Sequence, residues 1–140
     1  MSGVARAHDF ASAALRHIRD AVALLWSESY ASTDQAWHLA GFGPECARKA
    51  ALSDDRVHRI LGHDAHDPSL LSWLQSLDQD LVGPSRSVAP TSDWKPSHRY
   101  EATGTRARQA VAQFVAGAEI DTLEIIGALW CAGRLPRELP

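Results

Sequence analysis

The sequence predicts an all-α protein: a four-helix, up-and-down bundle with a long loop before the last helix. Apolar residues recur at steps of three and four along most of the chain. No stretch alternates with period two over more than four residues, as a half-buried strand requires. Cap and breaker residues bound the helical stretches. The 140 residues, 45% of them hydrophobic and 22% charged, suit a single globular domain spanning positions 1–140.

The first helix is expected from about His8 to Tyr30, with Leu15, Ile18, Val22 and Leu25 as one apolar stripe. Ser32-Thr33-Asp34-Gln35 has capping-box spacing and starts a second helix running to about Leu52. That helix is poor in bulk: Ala36, Ala40, Gly41, Gly43, Ala47, Ala50 and Ala51 let a neighbour approach closely. Pro44 lacks an N–H, so a kink or break is expected near Ala40 to Gly41. Asp67-Pro68 signals a third helix carrying Leu70, Leu74, Leu77 and Leu81 with Trp73 alongside, ending near Gly83-Pro84. The stretch from Ser85 to Thr105 holds Pro90, Pro96 and Gly104 and is the long loop; its aromatics, Trp94 and Tyr100, are expected to pack down onto the bundle. The last helix starts near Thr105, carries Val111, Val115, Ala118, Thr122, Ile125 and Leu129, and stops at Gly133 and Pro136.

Net charge is −3, so bulk electrostatics do not point to a nucleic-acid binder. Positive charge is nearly all arginine, 12 residues beside Lys49 and Lys95, and arginine suits bidentate contact with carboxylate or phosphate. No charge-free run approaches the roughly 20 residues that span a bilayer, and no secretory apolar region opens the chain. Cys46 and Cys131 lie 85 positions apart and read as buried free thiols of a cytoplasmic protein. Five tryptophans (Trp26, Trp37, Trp73, Trp94, Trp130) are expected to anchor core and interface, with Trp130 partly exposed as a partner surface. No glycine-rich phosphate loop, Gly-x-Ser-x-Gly elbow or Cys-His pair is present, and nothing implies a cofactor.

The second helix reads Trp37-His38-Leu39-Ala40-Gly41-Phe42-Gly43-Pro44-Glu45-Cys46-Ala47-Arg48-Lys49-Ala50-Ala51-Leu52. It resembles the signature helix of one branch of the HEPN superfamily, matching at Leu39, Ala40, Gly41, Phe42, Glu45, Cys46, Ala47, Lys49 and Ala50. A His-Asp step (His63-Asp64 or His66-Asp67), a Leu-rich helix, then Trp94 and Arg99-Tyr100 before the last helix follow in the same order as in the family. Pro44 and Arg48 depart from its pattern, which has small or aliphatic residues there. The resemblance implies a helical bundle that forms a homodimer through small-residue faces, in toxin–antitoxin or phage-defence systems, often beside an antitoxin or a nucleotidyltransferase. Active members are metal-independent ribonucleases in which an Arg and a following His, with four to six residues between them, meet their copies across the dimer. There His acts as general acid or base on the ribose 2′-hydroxyl and Arg stabilises the charged phosphate. Inactive members are binding or scaffold modules.

Arg56 with His63, and Arg59 with His66, have six residues between them and fall at the turn before the third helix. About two such pairs arise by chance at this composition, so position rather than number singles them out. Binding candidates are Glu45, Arg48 and Lys49 on the second helix, with Arg99 and Tyr100 suited to phosphate and base. Glu45 and Lys49 are spaced for an ion pair on one helix face, and Arg99 is a second partner for Glu45. Two metal-based readings compete. His58, His63, Asp64, His66 and Asp67 cluster as possible ligands. His38, His63-Asp64 and Asp121 can be cast as the ligands of an HD-type phosphohydrolase.

Overall fold

A computed structural model describes residues 7–29, 32–51, 94–101 and 103–139. Among these, all regular structure is helical: α1 (Ala7–Trp26), α2 (Thr33–Ala51), a 3-10 turn (Pro96–Tyr100) and α3 (Arg108–Cys131). The expected helix over Leu70 to Leu81 lies outside the described residues.

The first helix ends four residues earlier than its apolar pattern suggests. Arg108, at the start of α3, donates from Nη2 to the Leu25 carbonyl at 2.8 Å, and the Ser32 N–H reaches the Leu24 carbonyl at 2.9 Å. Both bonds satisfy carbonyls that a longer helix would have used itself. Ser32 caps α2 by accepting the Gln35 N–H on Oγ at 3.4 Å. The expected capping box is thus half made, because the Ser32 N–H is committed to Leu24 rather than to the Gln35 side chain. Helix α2 is not broken at Pro44: it runs without interruption from Thr33 to Ala51. Packing against α1 on one side and α3 on another holds it together where the proline removes one hydrogen bond.

The last helix starts at Arg108 rather than Thr105 because Gly104 turns with φ 82° and Ala107 is extended. The Asp34 carboxylate, in the first turn of α2, accepts the Gly104 N–H at 3.1 Å and fixes that turn. At the other end Gly133 takes φ 72°, its N–H bonds the Trp130 carbonyl at 3.0 Å, and the Arg134 N–H bonds Leu129 at 2.9 Å. These two bonds are a Schellman motif, the physical form of the stop expected from Gly133.

Helix α2 is the spine, packed against α1, α3 and the 3-10 turn. Its small residues are what let three elements crowd it. A Cβ on Gly41 would stand 2.1 Å from the Trp94 ring, and one on Gly43 would stand 2.5 Å from Ile18 and 2.8 Å from Thr122. All six residues of the expected α3 stripe, Val111, Val115, Ala118, Thr122, Ile125 and Leu129, are buried. The core forms two apolar clusters. One joins Ile18, Ala21 and Leu25 to Trp37, Trp94, Phe114 and Val115; the other joins Ala11 and Ala14 to Ala47, Ala50, Ile125 and Leu129.

Candidate functional site

Between the two apolar clusters α2 and α3 bring charges together inside the bundle. The helix tilts each Cβ towards its own N-terminus, so Arg48 reaches back along α2 towards the polar positions of α3. Arg48 Nη2 lies 2.5 Å from Asp121 Oδ2, and both side chains are wholly buried. Desolvation pulls the Arg48 guanidinium below its usual value, and Asp121 alongside pulls it back up. Arginine's intrinsic basicity keeps it cationic, so the pair is a true buried ion pair. Nε and Nη1 of Arg48, and Oγ1 of Thr122, have no hydrogen-bond partner among the described residues.

One turn earlier, Glu45 is buried and accepts a hydrogen bond from Lys49 Nζ on Oε1 at 2.8 Å. The i,i+4 pairing is as the spacing predicts, but its setting is interior rather than a solvated helix face. Neighbouring Cys46 is held protonated: burial first, then the charge of Glu45, raises its thiol to about 11. Cys131 is a free, exposed thiol, contrary to the expectation of two buried cysteines.

An aromatic group covers the other end of α2. Trp37 stacks on Phe114 with centroids 5.1 Å apart and meets His98 at 4.9 Å. Trp94, which packs down as expected, meets Phe42 edge-on at 4.7 Å and His38 at 6.0 Å. The Arg106 guanidinium lies 3.5 Å above the Trp37 ring centroid, a cation–π contact. Arg106 also pairs with Glu101, whose carboxyl that hydrogen bond holds below its usual range. Tyr100 is not buried against the bundle as expected: at the last position of the 3-10 turn it is 77% exposed.

The candidate residues therefore fall into three groups. Glu45, Arg48 and Lys49 share one interior region, where Arg48 is closed to any ligand outside the bundle. Tyr100 is open to solvent, and Arg99 lies in the same 3-10 turn. Arg56, Arg59, His63 and His66 lie outside the described residues, as do His58, Asp64 and Asp67. The structure does not bring His38 to Asp121: the imidazole packs on Phe42 and Trp94 while Asp121 binds Arg48. Among the described residues no three His, Cys, Asp or Glu side chains converge as metal ligands, and no helix is long and apolar enough to cross a membrane.

Sequence reasoning missed Asp121 as the partner of Arg48, 73 positions away. The available signal was an acidic residue on the buried stripe of α3, directly before Thr122. It also missed the arginines that cap helix ends, Arg108 on Leu25 and Arg134 on the Ala51 carbonyl at 2.6 Å. No protein-family model, curated protein or solved structure matches the chain.

Proposed function

We propose that this chain is a HEPN-like four-helix bundle, its third helix in chain order supplied by Leu70 to Leu81, that works as a cytoplasmic homodimer in a toxin–antitoxin or defence system and cleaves RNA without a metal. In this reading Arg56 with His63, or Arg59 with His66, forms the catalytic pair. The His moves the proton of the ribose 2′-hydroxyl and the Arg offsets charge building on the phosphate. Arg99 and Tyr100 hold the RNA strand, and the partner is an antitoxin or a nucleotidyltransferase. The supporting observation is the placement of the run Leu39–Ala50: it forms the spine of the bundle, with Gly41 and Gly43 in contact with Trp94, Ile18 and Thr122.

A second reading is a HEPN-like interaction module without catalysis. The internal engagement of Glu45, Arg48 and Lys49 favours it, since three polar residues of the signature run serve the fold.

The test is cleavage of a mixed RNA pool by the purified chain, with and without EDTA, beside a His63→Ala/His66→Ala variant. Cleavage that survives EDTA and is lost in the variant is the expected result. Cleavage abolished by EDTA would instead favour a metal-dependent reading. A folded protein that cleaves nothing would leave the interaction module.

A further inference from the structure

Helix α3 is apolar on two sides. Its buried stripe faces α1 and α2, yet Ile120, Leu123 and Trp130 on the opposite side are half or more exposed. A helix that is apolar all round needs cover on both faces. Along that outer side runs a cavity of about 440 Å³ between α1, α3 and the C-terminal segment. Leu15, Leu123, Ile126, Gly127, Trp130 and Leu135 are among its lining, Arg137 of the C-terminal segment borders it as well, and almost all of the lining surface is apolar. Leu15 and Leu139 also wall a second cavity of about 370 Å³, whose remaining lining is Ser12, Arg16 and Arg19. An apolar trough thus adjoins a cationic bay. Arg16 and Arg19, one turn apart on α1, form no hydrogen bond or ion pair among the described residues.

Volume and lining match a small-molecule site: a recess of several hundred Å³, mostly apolar, with a few polar groups at one end to fix orientation. Two guanidinium groups side by side select a carboxylate head. We propose that the trough binds a free fatty acid, its acyl chain along Leu123, Gly127 and Trp130 and its carboxylate against Arg16 and Arg19. The lining comes from α1, α3 and the C-terminal segment together, which suits one inserted chain better than a bilayer surface. This inference is independent of the RNA-cleavage reading.

Gly127 gives a clean test. A Cβ there meets nothing within 4 Å, so a side chain can project from this position into the trough, and leaving glycine improves helix propensity. Decanoate below its micellar range is titrated calorimetrically into the full chain, beside uncharged decanol. Saturable one-to-one binding of both is expected. Arg16→Gln/Arg19→Gln should weaken decanoate about tenfold or more and leave decanol within about twofold. Gly127→Phe, shown to be folded by its circular dichroism, should abolish binding of both. The proposal is overturned if the wild-type chain does not bind decanoate, or if Gly127→Phe binds it unchanged. Sedimentation with phosphatidylglycerol vesicles without binding of free decanoate also overturns it, in favour of a membrane surface.

Discussion

At the scale of single residues, burial decides what each titrating group does. His17 lies against Phe42 with centroids 5.3 Å apart, and desolvation, helped by Arg16, lowers its pKa below 6.5 while Asp20 and Glu45 pull the other way. The folded protein therefore keeps His17 neutral where the unfolded chain would protonate it. The sign follows from linkage: the unfolded state binds more protons, so stability is full above about 6.5 and falls as pH drops below it towards the folded-state value. Denaturant unfolding of wild type and His17→Gln between pH 7.5 and pH 5 checks this. The variant should lose less stability on acidification; an identical slope would show that His17 contributes nothing to it. Arg48 teaches the same lesson from the other direction. The spacing of Glu45 and Lys49 was readable from the chain, because i,i+4 geometry is local. The burial of Arg48 was not, because it depends on an acid 73 positions away on another helix.

At the scale of elements, close approach is the theme. The string of small residues in α2 was legible as a surface made for near neighbours, and Trp94 was legible as a residue that packs down. That they meet at Gly41 was not, since no local pattern ties a loop tryptophan to one glycine of a helix. With the Trp94 ring 2.1 Å from a Cβ at Gly41, the Gly41→Ala variant has to shift the indole or the helix. We expect a loss of about 1–3 kcal/mol by overpacking, together with a red-shifted tryptophan emission as Trp94 leaves its site. A variant as stable as wild type, with unshifted emission, would show that the contact is looser than described. Tyr100 marks the limit of the aromatic rule. Both loop aromatics have apolar rings, but Trp94, just before the 3-10 turn, is buried while Tyr100, at its end, is exposed. Helix α3 was legible in its buried stripe and its stop. Its second apolar face gave no clear signal, because a helix apolar all round loses the contrast that identifies a core-facing side.

At the scale of the whole molecule, the described core is two apolar clusters with Arg48, Asp121 and Thr122 between them. A uniform apolar seam between α2 and α3 would tolerate a slip of one helical turn. A charge pair closed to water does not, because a slip leaves both charges buried and unpaired. This pair therefore sets the register of α3 on α2, and with it the position of Arg108 on Leu25 at the start of α3 and of Arg134 on Ala51 just beyond its end. Arg108 and Arg134 then close the ends of the bundle by satisfying the last carbonyls of α1 and α2. The most direct test is a double-mutant cycle read by global denaturant unfolding of wild type, Arg48→Met, Asp121→Leu and the double variant. Each single change strands one buried charge and should cost about 3–5 kcal/mol, while the double variant should regain most of that loss. Single losses that simply add in the double variant would show that Arg48 and Asp121 do not act as a pair.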